Sequence, residues 1–428
     1  MTAQQAIEKI HSLDKFGSRP GLDRIRRFLD ILGNPQDSLR FVHVAGTNGK
    51  GSTCALLSSV LVEAGYKTGL FISPYIVDFR ERIQINGEMV SGEVLAEAVE
   101  RTFPIIEKLR ADDCVITEFE YVMALEFLIH KEAACDIVVL ETGMGGLLDC
   151  TNVILPPICS VITTIGLDHT AILGDTIEKI AAQKCGIIKS GSTAVTSAQC
   201  AEAMSVIEAD CADKGVRLVK SNSVNTEIVE QTIRRTVMKY NGVELTLPLI
   251  GEHQIENAKT ALAALDIIGE SFPISADALG NGFKNAENPA RSELMCDDPT
   301  VILDGAHNPN GIEALKNAVI RYNDKQSAVL VLGMLADKDS RGSIKLLSGM
   351  FDTVYTVTVN NPRTLSAEAL AEECKGFFNK VVVCKNVREA VTEAFAQAKH
   401  SDSLMVIAGS LYLAGEIRPI LQDIVKTN

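Results

Sequence analysis

A short apolar strand that runs through a glycine-rich loop into a helix is the feature that most constrains the fold of this 428-residue chain. The predicted strand Phe41–Ala45 leads into the loop Gly46-Thr47-Asn48-Gly49-Lys50-Gly51-Ser52, and residues 56–64 are predicted to be helical. Glycines allow backbone N–H groups to surround phosphate oxygens, while the helix N-terminus and Lys50 contribute positive charge. A strict Walker sequence would require Gly at position 44 and Ser or Thr at position 51. We therefore predict a phosphate-binding loop of shifted pattern; the alternative is a tight turn without a ligand.

The same order of strand, loop and helix recurs along the rest of the chain. Apolar runs predict strands at residues 67–72, 136–140 and 159–165, and later at 300–303, 328–332, 353–359, 380–383 and 404–408. Fully apolar strands that alternate with helices are typical of a parallel sheet buried on both faces. Residues 285–298, rich in Asn, Pro, Asp and Glu, are predicted to form a hinge between two domains.

Residues 217–249 follow a different pattern. Asn241-Gly242 separates two predicted strands, 234–240 and 243–249, and this dipeptide favours a type I′ hairpin turn. A helix is expected from residue 254 to about 268. We therefore predict an α/β fold in which a P-loop, parallel-sheet ATPase domain carries an antiparallel patch and precedes a smaller, Rossmann-like α/β domain.

The chain is acidic, because 55 Asp and Glu residues outnumber 41 Lys and Arg residues and give a formal net charge of −14. This balance excludes a general nucleic-acid-coating protein, and an anionic ligand would require a local concentration of positive charge. The 11 cysteines include no C-x-x-C pair, so we expect buried thiols in a reducing compartment. Glu8 and Lys9 lie where a signal peptide would be apolar, and the longest apolar run, 328–335, is far shorter than the ~20 residues of a membrane span. We expect a soluble, cytoplasmic protein.

Three polar residues, Ser73, Glu141 and His169, stand at or just after the ends of predicted strands. Ligands of open α/β sheets bind at the carboxyl ends of the strands, so these side chains can converge there. A hydroxyl, a carboxylate and an imidazole form a plausible shell for Mg²⁺ bound to nucleotide phosphates. Imidazole is not the preferred ligand of a hard cation, so Asp168 is an alternative ligand and His169 is equally compatible with a loop histidine. Lys184, on a predicted helix, is expected from its own surroundings to be an exposed surface lysine.

A second acid–imidazole motif follows the predicted strand 300–303. Asp304 and His307 lie in a turn whose shape is fixed by Gly305 and Pro309. Arg291 precedes this motif, in the predicted hinge, and could reach a γ-phosphate as cationic clamps on transferring phosphoryl groups do. The alternative is a well-capped turn between a strand and a helix.

Together these motifs resemble those of the folylpolyglutamate synthase/dihydrofolate synthase family, a branch of the Mur-ligase-like ATP-dependent enzymes that form amide bonds. The resemblance is collinear and covers nearly the whole chain. It rests on the combination of residues 21–25, 46–52, 73–74, 81–83, 86–87, 117–120, 141–152, 166–170, 184 with 186, 253–254, 257–258, 304–309, 337–339 and 409–412.

The resemblance implies a set of residue roles. Ser73, Glu141 and His169 match the family's magnesium ligands, and Lys184 matches a lysine that CO₂ converts to a carbamate. Catalytic roles are implied for Lys184, His169, Lys50 and Arg291. ATP contacts are implied for Thr47, Asn48, Gly49, Lys50, Gly51, Ser52, Asn257, Arg291, Asp304 and His307. The pocket for the pterin and benzoate of a folate is implied to be lined by Thr117, Glu118, Phe119, Glu120, Leu148, Asp149 and Cys150.

The resemblance also implies domains, cofactors and a reaction. A Mur-ligase-like ATP-binding domain would span residues 1–290, and a C-terminal glutamate-ligase domain would span residues 291–428. With ATP, Mg²⁺ and carbamylated Lys184, a folate-type carboxylate would be phosphorylated to an acyl phosphate, from which L-glutamate displaces phosphate to leave an amide. The implied partners are folate or dihydropteroate, L-glutamate and ATP, bound by a monomer without nucleic acid or membrane.

Five positions depart from the sequence usual in the family. Leu147 replaces Arg, Tyr75 replaces His and Met123 replaces a frequent Thr, all near the expected folate side, while Ala290 replaces Gly and Cys185 replaces Ala. None lies in the phosphate loop or the predicted metal set. The departures therefore concern the acceptor substrate more than the use of ATP.

Other classes of protein account for parts of the sequence. A Mur-like amide ligase could take a non-folate acceptor, but a murein-type ligase needs a nucleotide-sugar domain for which residues 1–45 are too few. A P-loop kinase or NTPase needs no second acid–histidine motif. A catalytically inactive binding module has no use for Lys50, Glu141, His169 and Lys184 together. Glutamate-dependent release of ADP separates these alternatives.

Overall fold

The computed structural model of the chain describes residues 1–13, 21–323, 325 and 327–427. Its α-helices are α1 (Ala3–His11), α2 (Asp23–Ile31), α3 (Lys50–Glu63), α4 (Gly92–Ala111), α5 (Glu118–Glu132), α6 (Thr170–Leu173), α7 (Ile177–Cys185), α8 (Ala201–Lys214), α9 (Glu252–Gly269), α10 (Ala276–Asn285), α11 (Pro309–Tyr322), α12 (Ser340–Leu347), α13 (Ala367–Cys374), α14 (Val387–His400) and α15 (Leu411–Thr427). Its strands are β1 (Phe41–Ala45), β2 (Thr68–Phe71), β3 (Ile83–Ile85), β4 (Glu88–Met89), β5 (Ile137–Glu141), β6 (Cys159–Ile162), β7 (Thr193–Thr196), β8 (Arg217–Lys220), β9 (Glu227–Gln231), β10 (Thr236–Tyr240), β11 (Val243–Leu247), β12 (Glu293–Asp297), β13 (Thr300–Leu303), β14 (Ala328–Leu332), β15 (Thr353–Thr356), β16 (Lys380–Val383) and β17 (Leu404–Ala408).

These elements form two compact units. Unit 1 comprises Met1–Glu227, Lys239–Leu245 and Glu256–Ala286, and unit 2 comprises Ile228–Met238, Thr246–Ile255 and Glu287–Asn428. The predicted domain boundary between residues 290 and 291 stays a prediction.

The eight-stranded sheet of unit 1 has the strand order β4-β3-β2-β5-β1-β6-β7-β8. Six strands of this sheet, β2, β5, β1, β6, β7 and β8, run parallel to one another. Strands β3 and β4 pair antiparallel at its edge. Every residue of β1 and β5 is buried, as apolar runs require in a sheet covered on both faces. Val44 is paired with Glu141 and Ala45 with Ile162. The chain segments that follow β1, β5 and β6 therefore begin side by side, and the predicted parallel sheet is confirmed.

Helix α3 is covered by α10 at a very close approach. Gly282 lies against Val60 so tightly that a Cβ at position 282 would overlap with the backbone of α3. The neighbouring Gly280 has no heavy atom nearer than 3.7 Å to such a Cβ. Glycine at position 282 thus fixes the distance between α10 and the helix that carries the phosphate loop.

The predicted hairpin forms between β10 and β11. Asn241 and Gly242 have φ of +48° and +81°, the left-handed pair that a type I′ turn requires. With β9 these strands make a separate three-stranded sheet of order β11-β10-β9. Helix α9 contains the predicted helix 254–268 and extends it at both ends.

The sheet of unit 2 has the order β12-β13-β17-β14-β15-β16 and is parallel except for β12. The prediction of a hinge over residues 285–298 was wrong for 293–297, because β12 pairs antiparallel with β13. This edge strand has one neighbour, and its register shifts between Leu294 and Cys296. Four of its five residues are partly buried and Asp297 is exposed, so it lacks the apolar pattern that identifies a strand in sequence.

The described residues contain no helix that is both long enough and apolar enough to cross a membrane. The cysteines are free thiols, and all except Cys200 and Cys296 are buried. Burial of the other thiols agrees with their predicted role as small apolar residues.

Candidate active site

The predicted phosphate loop lies between β1 and the N-terminus of α3, which begins at Lys50. Gly49 has φ of +87°, a conformation that a side chain would strain, and a Cβ there would overlap with Asn257 Oδ1. The first amides of a helix have no acceptor within it, so α3 presents N–H donors and a positive dipole end beside Lys50. The loop can therefore bind an anion, and Asn257, predicted to contact ATP, lies against it.

The first half of the loop is fixed by the segment that follows β6. The Thr47 and Asn48 N–H groups both donate to Thr164 O, at 2.9 and 3.2 Å. The Thr47 hydroxyl donates to Gly166 O and accepts from the Gly166 N–H, both at 3.0 Å. These two predicted ATP contacts thus have their amides engaged within the protein, and residues 49–52 carry the helix-terminal donors.

Lys50 and Glu141 face each other at the carboxyl edge of the sheet. Glu141 is the last residue of β5, its side chain is 6% exposed, and its Oε1 lies 3.9 Å from Lys50 Nζ. Glu141 Oε2 accepts a hydrogen bond from the Ser73 N–H at 3.3 Å. The structure therefore brings together Lys50, Glu141 and Ser73, which the sequence places in three separate segments.

His169 occupies the N-terminal end of α6 with φ of +50°, and its side chain is 47% exposed. Its Nε2 lies 4.0 Å from Asp168 Oδ2, so the two alternative ligands are adjacent. Among the residues that the structure describes, no three His, Cys, Asp or Glu side chains are placed to hold a metal ion. The predicted set has only two such side chains, and its third donor is the Ser73 hydroxyl. The buried carboxylate of Glu141, which accepts from the Ser73 N–H, suits a hard cation such as Mg²⁺, and the set stays a prediction.

Lys184 is buried, with only 4% of the residue exposed, so the expectation of a surface lysine was wrong. The reason is that α7 turns this residue toward the phosphate loop, where its Nζ donates to Gly46 O at 2.6 Å. Burial and the charge of Lys50 lower the pKa of Lys184 to about 7, against the opposing effect of Asp168 and Asp149. A large fraction of this amine is therefore uncharged and nucleophilic at neutral pH.

Three of the predicted folate-lining residues hold helices together. Thr117 caps α5, accepting from the Glu120 N–H at 3.3 Å, while Glu120 Oε2 accepts from the Thr117 N–H at 2.9 Å. Glu120 also pairs with Arg24 of α2 at 2.9 Å, and Glu118 Oε2 lies 3.2 Å from His11 Nδ1 of α1. These contacts give the acidic side chains a structural task, and their part in substrate binding stays a prediction.

The other predicted folate-lining residues differ in what they expose. Cys150 is buried, and its Sγ lies 3.9 Å from Phe119 O. Asp149 is also buried, and it accepts from Thr151 through the N–H at 3.0 Å and the hydroxyl at 2.6 Å. Burial raises the pKa of Asp149, and these hydrogen bonds offset part of that effect. Leu148 is 46% exposed and offers apolar surface to a ligand.

The departures from the family sequence have different surroundings. Met123 is completely buried within α5, so it contributes to packing and contacts no solvent. Leu147 is held by its N–H, which donates to Gln183 O at 2.7 Å, and it is 45% exposed. Cys185 is completely buried in α7. Of these three residues, only Leu147 presents a side chain that could meet a substrate.

Arg82 is a site residue that sequence reasoning left without a role. Its Nη1 donates to Ser73 Oγ at 3.4 Å, and its guanidinium carbon lies 5.4, 5.7 and 6.0 Å from the ring centres of Tyr75, Phe79 and Phe119. Such cation–π contacts hold a guanidinium in place. The motif at residues 81–83 indicates that this segment matters, but the contact with Ser73 depends on the antiparallel pairing of β2 and β3.

His43 is a second residue that the sequence conceals, because it lies within the apolar strand β1. Burial, followed by the charge of Lys189, lowers the pKa of His43 to about 3, so the imidazole is neutral. Its Nε2 lies 2.8 Å from Thr151 Oγ1, which in turn donates to Asp149 Oδ1. This buried chain connects β1 with the loop that follows β5.

In unit 2, Asp304 follows β13 and is 7% exposed. Its carboxylate accepts from the Ser292 N–H at 2.8 Å, the Ser292 hydroxyl at 2.7 Å and the Ala306 N–H at 2.7 Å. His307 Nδ1 lies 2.8 Å from Gly305 O. The carboxylate therefore organises the backbone on both sides of it, and its predicted contact with ATP stays a prediction.

His253 is a further group near Asp304 that sequence reasoning left without a role. Burial lowers the pKa of His253, while Asp304 acts to raise it and Arg291 acts to lower it. Unit 2 thus places a carboxylate, an imidazole and a guanidinium within electrostatic reach of one another. Only Asp304 is buried, whereas His253 and Arg291 are partly exposed, and such a mixed cluster is typical of a site that binds a charged ligand.

Two family descriptions match the chain in succession. Residues 44–265 match the Mur ligase middle domain, and residues 290–411 match the Mur ligase glutamate ligase domain. The fold is that of a Mur-type ligase. The chain belongs to the folylpolyglutamate synthase/dihydrofolate synthase family of these ATP-dependent ligases.

Named relatives support this membership over the full length. The dihydrofolate synthase/folylpolyglutamate synthase of Bacillus subtilis is 37% identical over 98% of this chain and 99% of its own length. The crystal structure of Mycobacterium tuberculosis folylpolyglutamate synthase complexed with ADP and AMPPCP is 31% identical, with a TM-score of 0.89 over 98% of this chain and 99% of that one. Escherichia coli FolC in complex with DHPP and ADP is 30% identical, with a TM-score of 0.87 over 99% and 98% of the two chains.

Proposed function

We propose that this protein uses ATP to join L-glutamate to the carboxylate of a folate-type acceptor, as a dihydrofolate synthase, a folylpolyglutamate synthase or both. The proposal is carried by the buried Lys184 amine on the Gly46 carbonyl, beside Lys50 and Glu141, at the sheet edge where the phosphate loop begins. A relative matched over 98% of this chain is named for both activities. The family and the arrangement of charge point to the same chemistry.

The reaction requires two displacements. An acceptor carboxylate oxygen attacks the γ-phosphorus of ATP, the bond to ADP breaks, and an acyl phosphate forms. The amine of L-glutamate then attacks the acyl carbon, phosphate leaves, and the nitrogen loses its proton as the amide forms. In such phosphoryl transfers the protein chiefly positions the reactants and stabilises charge.

Separate groups of residues are proposed to bind the phosphates, the nucleotide and the metal ion. Lys50 and the N-terminus of α3 bind phosphate oxygens, and Asn257 borders the same loop. Arg291 contacts the γ-phosphate, and Asp304 and His307 contribute to the nucleotide site. Ser73, Glu141 and His169 would hold Mg²⁺, which neutralises phosphate charge when bound.

Lys184 is the residue we propose to be carbamylated. A neutral amine attacks CO₂, a nitrogen–carbon bond forms, and one proton is released to leave an anionic carbamate. A pKa of about 7 makes the neutral amine available at physiological pH, which an ordinary lysine does not do. The negative carbamate would lie within electrostatic reach of Lys50, which disfavours a second ammonium there.

The proposal that the acceptor is a folate rests on the complexes of relatives and on exposed apolar side chains. A structure described as an FPGS–AMPPCP–folate complex is 31% identical to this chain, and the E. coli relative was solved with DHPP. Leu147 and Leu148, both nearly half exposed after β5, provide apolar surface that suits an aromatic acceptor. A Mur-type ligase with a non-folate acceptor is the alternative, and the acceptor assay distinguishes the two.

The test is release of ADP with dihydropteroate and tetrahydrofolate supplied separately, each with and without L-glutamate. The proposal predicts glutamate-dependent ADP release with at least one acceptor and a product heavier by one glutamyl residue in mass spectrometry. Release without glutamate dependence indicates a kinase or NTPase. No release with either acceptor contradicts the folate assignment. Lys184→Ala is expected to abolish turnover without rescue by bicarbonate, and retained activity would remove the carbamate.

A further inference from the structure

Arg291 lies between two residues with left-handed backbone. Ala290 has φ of +58° and Ser292 has φ of +51°, and neither is glycine. A Cβ disfavours this conformation, so it persists only where surrounding contacts impose it. Ala290 is completely buried and Ser292 is 1% exposed, so protein groups rather than water surround both residues. The presentation of Arg291 therefore depends on what holds its two neighbours.

One set of hydrogen bonds that fixes these two neighbours comes from the residues that follow β13. The Asp304 carboxylate accepts both the N–H and the hydroxyl of Ser292, at 2.8 and 2.7 Å. The N–H of Gly305 donates to Ala290 O at 2.8 Å. These bonds fix the carbonyl side of residue 290 and the amide side of residue 292.

The second constraint on these neighbours is the ion pair between Glu293 and Arg418 of the C-terminal helix. Glu293 Oε2 accepts the Ala290 N–H at 2.9 Å. Arg418 of α15 donates to the same carboxylate in a forked arrangement. Its Nε lies 3.1 Å from both carboxylate oxygens, and its Nη2 lies 2.9 Å from Oε1. Both side chains are mostly buried, at 22% and 24% exposed. A forked guanidinium restricts the rotation of a carboxylate far more than a single contact does.

We propose that Glu293 and Arg418 are positioning residues for Arg291. Arg418 orients the Glu293 carboxylate, which holds the Ala290 amide and keeps the strained backbone in the conformation that directs Arg291. The inference deepens the proposed function, because it rests on the assignment of Arg291 to the γ-phosphate. Arg418 lies on α15, outside the phosphate loop and the acid–histidine motif, and the proposal gives it a role in the reaction.

The experiment compares Arg418→Met with Arg321→Met in the full-length protein. Arg321, on α11, forms an ion pair of 2.8 Å with Glu252 in the same unit, so it controls for general loss of an ion pair. Hydrogen–deuterium exchange of peptides covering residues 288–306 reports how firmly the backbone around Arg291 is held, independently of activity. Glutamate-dependent ADP release gives kcat and the KM for ATP. Arg418→Lys, which keeps the charge and loses the fork, serves if the methionine variant does not fold.

We expect Arg418→Met to accelerate hydrogen exchange at Ala290 and to lower kcat about tenfold. A factor of about ten corresponds to the free-energy preference against left-handed backbone at a non-glycine residue. Ala290→Gly in the same background should restore part of kcat, since glycine adopts positive φ without strain. Unchanged exchange, unchanged kcat, an equal loss in Arg321→Met or no rescue by glycine would each overturn the proposal. If the wild-type protein shows no glutamate-dependent ADP release, the proposed function fails, while the exchange data still decide whether Arg418 holds the loop.

Discussion

Replacing Lys184 by methionine should stabilise the protein at neutral pH while abolishing its turnover. Lys184 is buried, and its pKa of about 7 lies far below the ordinary 10.5. As pH falls below 10.5 the unfolded chain takes up a proton that the folded protein does not bind until about pH 7. The stability of the wild-type protein therefore decreases from pH 10.5 to 7 and levels off below that range.

The size of this effect follows from the pKa difference. A change of one pKa unit corresponds to ~1.4 kcal/mol, so the buried lysine costs about 4 kcal/mol of stability at pH 7 relative to pH above 10.5. Methionine fills a similar volume and carries no charge, but it gives up the bond to Gly46 O, worth ~0.5–1.5 kcal/mol for the uncharged amine that serves as the reference state. We expect a net gain of about 3 kcal/mol at pH 7, which falls as pH rises and becomes a small net loss near pH 10.5, where only the missing hydrogen bond remains.

Urea unfolding at several pH values between 6 and 10.5, in CO₂-depleted buffer, measures the difference between variant and wild type. CO₂ is excluded because a carbamate would change the charge at this position. Lys179→Met provides the matched control, because Lys179 lies on the same helix, is 62% exposed and pairs with Asp175. A stability difference for Lys184→Met that does not change with pH, or a variant less stable than wild type at pH 7, would refute the reasoning.

Three further perturbations test other parts of the site. Glu141→Gln should weaken magnesium-dependent ATP use, and an unchanged magnesium titration would count against its role as a ligand. Gly49→Ala, which strains φ of +87° and collides with Asn257, should raise the KM for ATP about tenfold or more; an unaltered KM would show that the loop does not bind the nucleotide. Gly282→Ala should lower the free energy of unfolding by ~1–3 kcal/mol because its Cβ overlaps with α3. Gly280→Ala, whose Cβ would have no heavy atom nearer than 3.7 Å, should not, and equal effects would contradict this.

Much of the fold follows from local sequence. The strands Thr300–Leu303, Ala328–Leu332 and Leu404–Ala408 have the predicted bounds, because an apolar run in a sheet covered on both faces has no alternative place to bury its side chains. The hairpin at Asn241-Gly242 formed as predicted for the same kind of reason, since its two residues adopt the φ values that the turn demands. Strand β12 was missed because its partly buried residues carry no such pattern.

The candidate site is only partly visible in the sequence. The residue types of the phosphate loop, Glu141 and the acid–histidine motif could be identified because they stand at strand ends, where ligands bind. The environment of Lys184 could not, because its neighbours along the helix are unremarkable and Gly46 is contributed by a distant segment. The same is true of His43, hidden in an apolar strand and neutral through burial.

Sequence by itself determined the apolar strands and the hairpin turn, and it identified side chains that stand at the ends of those strands. Tertiary structure alone decided which of those side chains are deprived of water and what they face. The pKa of Lys184 and the left-handed backbone at Ala290 and Ser292 arise in this way. Desolvation and backbone strain depend on atoms brought close from far along the chain, and local composition contains no record of those distances.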